Sequence, residues 1–167
     1  MFRKKPDRQK IKNRARRSLN REVSRNIQTY VIDTSAVINK FLPILIRKGL
    51  RGKILVPNAV MAELENIANK GKEEGFLGLE EISKLHRIKQ IKVYFEGSRP
   101  SETQIKFAKS GEIDALIREI AIKSHATLIT ADLVQAKSSQ AYGLKVIFFK
   151  PKEKRKDKKF LFWKLKG

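Results

Sequence analysis

The chain has 167 residues, and its 38 Lys or Arg against 17 Asp or Glu give a formal net charge of +21. A hydrophobic content of 41% is enough for one substantial core, so we expect one domain with extensions, while the absence of cysteine excludes disulfides, thiolate catalysis and zinc ribbons. No apolar run approaches the roughly 20 residues of a membrane span and no secretory signal is apparent, so we predict a cytoplasmic protein without a membrane partner.

The first segment, residues 1–28, is a basic arm. It holds 11 Lys or Arg against 2 acids, and apolar residues recur in it at every fourth position. This spacing predicts a basic amphipathic helix from about Gln9 to Gln28, while a disordered arm that folds only when bound remains the alternative. The apolar positions are Ile11, Ala15, Leu19, Val23 and Ile27.

The middle segment, residues 29–149, alternates between strand-like and helical patterns. Such alternation is typical of an α/β layered domain with a largely parallel central sheet. In a sheet of this kind, sites form where loops leave the carboxyl ends of the strands. The predicted strands are Tyr30 to Asp33, Ile54 to Pro57, Lys92 to Phe95, Thr127 to Thr130 and Lys145 to Phe149.

Two acids follow predicted strands directly. Asp33 ends the run "TYVID" and is followed by Thr34 and Ser35, and Asp132 follows the run "TLITA". Either residue alone is explained as a helix cap, because Asp, Ser and Thr accept hydrogen bonds from the free N–H groups at a helix start. Together, they place two carboxylates at one edge of the predicted sheet.

A third acid is positioned by helical geometry in "PNAVMAELENIANKG". Asn58 is a plausible N-cap and Gly71 a stop, so we predict a helix from about Ala59 to Lys70. At about 100° per residue, Glu63 lies at the border of the apolar stripe, whereas Glu65 points toward solvent. The stripe consists of Val60, Leu64, Ile67 and Ala68.

A fourth acid lies in a second predicted helix, within "SGEIDALIREIAIKSHA". Asp114 falls at the edge of its buried face, in the first turn, where the helix dipole favours a carboxylate by a few tenths to about 1 kcal/mol. Glu112 and Glu119 fall farther from that face. The buried face consists of Ile113, Leu116, Ile117, Ile120 and Ala121.

Taken singly, each of these acids has an ordinary structural explanation as a cap, a rim charge or a dipole partner. Four carboxylates in one place would repel one another and raise their pKa values unless cations neutralised them. With only two histidines in the chain, a metal must be held by oxygen, which suits Mg²⁺ or Mn²⁺. A metal-dependent phosphodiesterase with one or two ions follows as a hypothesis.

The last segment, residues 150–167, is a basic tail with 9 Lys or Arg against 2 acids. Basic ends at both termini favour a polyanionic partner, because Lys and Arg displace counterions from phosphates. The aromatic end suits stacking on bases or docking on a protein partner, and the alternative is that it covers the protein's own surface. Its apolar residues are Phe160, Leu161, Phe162, Trp163 and Leu165.

The ordered motifs "VIDTSAVIN", "MAELENI", "GEIDALI" and "LITADLVQA" resemble the PIN domain over roughly Thr29 to Phe149. The resemblance implies a three-layer α/β/α fold with an acidic pocket that binds divalent metal and cuts single-stranded RNA. It also implies that Asp33 is a metal ligand, with Thr34 or Ser35 positioning it or a water, and that Thr130 gives similar support. The acidic quartet it implies is Asp33, Glu63, Asp114 and Asp132.

The stretch "NKGKEEGFLGLEEISKL" is similar to PIN domains joined to hexameric ATPases. The resulting prediction is a Mg²⁺- or Mn²⁺-dependent endoribonuclease that acts on single-stranded or structured RNA. The alternatives are a catalytically idle RNA-binding module, an assembly module that dimerises, and the nucleic-acid-binding portion of a larger ATPase system. DNA as a substrate and a homodimer are left open.

Overall fold

The computed structural model describes residues 9, 28–107 and 111–151. The predicted helix of the basic arm therefore lies almost entirely outside the described residues, as does the aromatic end of the tail. None of the helices in the described ranges is both long and apolar enough to cross a membrane.

Five strands and seven helices are found in these ranges. The strands are β1 (Thr29–Ile32), β2 (Gly52–Pro57), β3 (Ile91–Glu96), β4 (Thr127–Thr130) and β5 (Val146–Phe148). The helices are α1 (Thr34–Ile38), α2 (Phe41–Arg47), α3 (Asn58–Asn69), α4 (Glu73–Leu85), α5 (Glu102–Phe107), α6 (Glu112–Lys123) and α7 (Leu133–Ala141).

The strands form one sheet in the order β3-β2-β1-β4-β5, and every pairing is parallel. Parallel neighbours need crossover connections, which here contain helices, and these cover the apolar faces of the sheet. The central strand β1 is accordingly apolar, with Val31 and Ile32 fully buried. The prediction of an α/β domain with a parallel central sheet is confirmed.

The boundaries of most predicted elements shift by one or two residues. The prediction that Asn58 caps α3 is wrong, because the cap position is Pro57 and the helix already includes Asn58. The Asn58 side chain instead donates a hydrogen bond to the Gly97 carbonyl (2.7 Å), which ties the start of α3 to the end of β3. Gly71 ends the helix as predicted, with a φ of +70° that favours glycine.

Helices α3 and α4 form a tightly packed pair. A Cβ on Gly75 of α4 would lie 2.3 Å from the backbone nitrogen of Ala68 in α3, so only glycine permits this approach. The pair holds α3, and with it Glu63, in a fixed position against the sheet.

Candidate functional site

Asp33 and Asp132 lie at the carboxyl end of the sheet, on neighbouring strands. Strands β1 and β4 are paired in parallel, with Ile32 in register with Ile129. The backbone N–H of Asp33 continues this ladder by donating to the Ile129 carbonyl (3.0 Å). Because parallel strands end at the same edge, the two acids reach that edge together, as the sequence predicted.

Asp33 is held by two hydroxyl groups and is 4% exposed. Its carboxylate accepts hydrogen bonds from Ser35 and from Thr130 Oγ1, the latter at 2.8 Å. Burial raises the pKa of the Asp33 carboxyl above its usual range, and the hydrogen bonds only partly oppose this shift. The described geometry therefore gives Asp33 a fixed orientation but leaves its negative charge without a cationic partner.

Glu63 extends from α3 toward the same end of the sheet and is half-buried. Thr34 Oγ1 donates a hydrogen bond to Glu63 Oε2 at 2.6 Å, so Thr34 orients Glu63 and Ser35 orients Asp33. Burial, with a smaller effect of the Asp33 charge, raises the pKa of Glu63, against the bond from Thr34. The two consecutive hydroxyls thus serve two different acids.

Asp114 lies in the first turn of α6 and is also half-buried. Its pKa is raised to about 6. Burial is the largest cause, the negative charges of Asp33, Asp132 and Glu63 add to it, and the positive charge of Arg118 opposes it. All three other members of the acidic quartet therefore act on Asp114. The four acids share one region of the molecule, which their positions in the sequence do not require.

Asp132 combines a structural role with its place in this cluster. The Asp132 Oδ1 accepts a hydrogen bond from the backbone N–H of Gln135 (2.9 Å), so Asp132 caps α7. Asp132 is exposed to solvent. Its own N–H donates to Thr130 Oγ1 (3.0 Å). The cap explanation and the site explanation are therefore compatible for this residue.

Gln135 also belongs to this network, although it was not among the residues predicted from the sequence. It is 1% exposed, and its Oε1 lies 3.0 Å from Thr130 Oγ1, while its Nε2 has no hydrogen-bond partner among the described residues. Buried amides without partners are rare because each costs desolvation free energy. The available signal was a polar residue on the apolar face of α7, one turn beyond Asp132.

Glu65 and Glu119 form ion pairs with residues outside the quartet. Glu65, which was predicted to point toward solvent, keeps 37% of its side chain exposed and forms an ion pair with Arg99. Glu119 pairs with Lys123 on the outer surface of α6. Neither residue is among the charges that act on Asp114.

The donor chemistry of the site fits a divalent cation. The site has four carboxylates, of which Asp33 and Glu63 are oriented by hydroxyl groups, and oxygen ligands of this kind suit Mg²⁺ or Mn²⁺. As the carboxylates stand, no group of three or more acidic or histidine side chains in the described ranges is close enough to hold an ion. Binding would require the carboxylates to draw together, which their mutual repulsion opposes until a cation is present.

A parallel α/β domain with a cluster of acids at the carboxyl end of its sheet defines the class of this protein. The pattern of the PIN domain matches residues 30–147, and the chain belongs to the PIN domain family. The match confirms the family predicted from the four motifs. PIN domains are in general metal-dependent nucleases.

Two curated relatives and one solved structure are similar to the chain. A KH and PIN domain-containing protein of Methanocaldococcus jannaschii, described as uncharacterized, is 39% identical over 73% of this chain and 20% of its own length. The Holliday junction branch migration ATPase PINA of Sulfolobus acidocaldarius is 22% identical over 72% of this chain and 23% of its own length. The chain therefore spans about a fifth of the length of these relatives.

The solved structure is a domain of a functionally unknown protein from Methanocaldococcus jannaschii. It is 37% identical, with a TM-score of 0.69, and the match covers 75% of this chain and 94% of that domain. At this identity the likeness extends to the sequence as well as the fold.

Proposed function

We propose that the protein is a Mg²⁺- or Mn²⁺-dependent endoribonuclease whose site consists of Asp33, Glu63, Asp114 and Asp132. The observation that supports this proposal is the arrangement of four acids from separate parts of the chain at one end of the sheet. Two of them are fixed by hydroxyl groups, and Asp114 is under the charge of the other three. Membership of the PIN family supports the same reaction class.

In this proposal the four carboxylates hold the cation, and the residues around them keep it in place. A divalent ion, when bound, polarises the phosphate and makes a water more acidic, which favours hydrolysis of the phosphodiester. Ser35 and Thr130 hold the orientation of Asp33, and Thr34 holds that of Glu63.

Gln135 completes the orientation of Asp33 through Thr130. Besides Ser35 Oγ at 3.2 Å, which itself donates to Asp33, the Thr130 hydroxyl has two acceptors for its one proton, Asp33 and Gln135 Oε1. If the amide of Gln135 turned over, its Nε2 would donate to Thr130 and gain the partner that it lacks. The Thr130 proton would then be committed to Asp33, and the carboxylate would be held in one orientation.

The test is cleavage of end-labelled single-stranded RNA and DNA with Mn²⁺, Mg²⁺ or EDTA. We expect cuts in RNA that need metal, that vanish in Asp33→Asn and that persist in Glu65→Gln. Glu65 is a matched control because it is an acid on the same helix as Glu63 but pairs with Arg99. Full activity of Asp33→Asn would contradict the proposal, and binding of RNA that stays whole under every metal would favour an idle binding module.

A second candidate is the nucleic-acid-binding portion of a larger protein. The similarity to a Holliday junction branch migration ATPase, of which the chain covers 23%, favours this alternative. The two candidates are separated by comparing affinity for a four-way DNA junction with affinity for single-stranded RNA, both in EDTA. A clear preference for the junction, without cleavage of RNA, would support the second candidate.

A further inference from the structure

The amino end of the sheet carries a concentration of positive charge. Segments 47–53 and 87–92 contain four and three Lys or Arg, respectively, and neither contains Asp or Glu. The first segment leads from α2 into β2, and the second leads from α4 into β3. Because β2 and β3 are neighbours in the sheet, the two segments meet although they are far apart in the sequence.

Specific contacts bring the cations of these segments side by side. The Gly52 N–H donates to the Gln90 carbonyl (3.1 Å), and Lys53 is in register with Lys92 on the neighbouring strand. Residues in register on parallel strands are about 4.8 Å apart and share a face of the sheet. We use the name amino-end patch for four exposed residues: Arg51, Lys53, Lys89 and Lys92.

The charge of this patch is not neutralised within the described part of the chain. The ion pairs found there use Arg99, Lys84 and Lys123, and none of them includes a residue of the patch. Like charges in register on adjacent strands destabilise a sheet. The fold thus keeps a repulsion at this edge that a polyanion would relieve.

Two neighbouring features add to the patch. Tyr94 follows Lys92 on the same face of β3, is 43% exposed, and has the Lys53 ammonium 5.9 Å from its ring centroid. The Gln28 carbonyl accepts a hydrogen bond from the Lys53 N–H (2.9 Å), so Gln28 lies directly beside the patch, and 11 Lys or Arg precede it in the sequence.

We propose that the amino-end patch is a docking surface for the phosphates of a single-stranded nucleic acid, with Tyr94 stacking on a base. Phosphates neutralise the charge of neighbouring exposed cations, and any base can stack on an accessible aromatic ring beside them. Four residues of β2, from Ile54 to Pro57, separate Lys53 of the patch from the carboxyl end of the sheet by roughly 13 Å. This docking surface is therefore distinct from the acidic site, and the proposal does not depend on cleavage.

The test measures binding of labelled single-stranded RNA and DNA to the full chain in EDTA, over a range of salt concentrations. The patch variant combines Arg51→Gln, Lys53→Gln, Lys89→Gln and Lys92→Gln. Each lost single-strand phosphate contact lowers the log–log salt slope by about 0.7, so we expect a decrease of roughly 3. Thermal unfolding of the patch variant serves as the control for folding, and we expect a Tm close to that of the wild type because the substituted residues are exposed.

The matched control removes the same charge from exposed lysines outside the patch, with Lys70→Gln, Lys72→Gln, Lys106→Gln and Lys137→Gln. We expect its slope to stay close to that of the wild type. Equal slopes for the two variants would overturn the proposal, because net charge alone would then explain binding. The proposal is also overturned if the patch variant loses binding to anionic lipid vesicles but keeps its full affinity for RNA and DNA.

Tyr94→Ala separates stacking from charge. We expect affinity to fall about tenfold, since the variant loses one base stack, with no change in the salt slope. A fall in slope without a fall in affinity at fixed salt would contradict the role of the ring. Binding is measured in EDTA, where the proposed metal-dependent cleavage does not occur, so loss of cleavage and loss of docking can be told apart.

Discussion

The two ends of the sheet differ in the sign of their charge and in how that charge is held. At the carboxyl end, Asp33 and Glu63 are wholly or partly buried and oriented by hydroxyl groups, and their pKa values are raised. At the amino end, Lys53 and Lys92 are exposed and have no ion-pair partner within the described residues. Buried, oriented charges suit chemistry on a bound group, whereas exposed charges suit affinity for a polyanion.

The parallel direction of every strand keeps these two regions apart. All strands of the sheet begin at one edge and end at the other. An antiparallel sheet would mix strand starts and strand ends at both edges. The variants below affect the acidic end, and each can be compared with the patch variant at the amino end.

The largest effect is expected for Asp132→Asn. Asn caps a helix about as well as Asp, so the hydrogen bond to the Gln135 N–H and the stability of α7 should be retained. Loss of the charge should lower cleavage at least about a hundredfold, the usual scale for a preorganised electrostatic group. Thermal unfolding and single-turnover cleavage measure the two properties, and a variant that cleaves normally would reduce Asp132 to a cap.

A smaller effect is expected for Gln135→Met, which keeps the length of the side chain but removes its amide. If Gln135 orients Asp33 through Thr130, cleavage and Mn²⁺ affinity should fall about tenfold. Binding of RNA in EDTA should not change. Ser139→Ala is the matched control, because Ser139 is a second buried polar side chain of α7 without a partner among the described residues. Equal losses of cleavage and Mn²⁺ affinity in both variants would show that Gln135 contributes to the packing of α7 and does not orient Asp33.

The smallest effect concerns stability and pH in the metal-free protein. The Asp114 pKa is raised to about 6 in the folded state, so the unfolded chain loses this proton first as the pH rises. The stability associated with protonated Asp114 is therefore complete below about pH 4 and is lost as the pH rises from about 4 to 6.

Asp114→Asn should remove this part of the pH dependence. Burial of the carboxylate is the main cause of this pKa shift and repulsion by the other acids a smaller one, and because the side chain is half-exposed, solvent reduces both effects. At neutral pH we expect Tm to rise by about 2–4 °C, the shift that roughly 1 kcal/mol produces in a chain of this size. Mn²⁺ should raise the Tm of the wild type more than that of the variant. A lower Tm for Asp114→Asn without metal would show that the four acids do not repel one another.

Much of the fold followed from local pattern. The apolar run before Asp33 and the alternation of strand-like and helical segments predicted the parallel sheet, because periodicity records which face of an element is buried. Gly71 ended α3 as predicted, since glycine accepts a positive φ there. Asn58 was misassigned because its partner, the Gly97 carbonyl, lies 39 residues away in the sequence.

The sequence by itself determined the acids, their helical or strand-end positions and the family to which the chain belongs. Only the tertiary structure decided that Thr34 serves Glu63, that Gln135 joins the Asp33 network, and that Lys53 lies beside Lys92. Local pattern specifies which way a side chain points from its own strand or helix. Its partner depends on which elements become neighbours, and that choice is made by packing of the whole core.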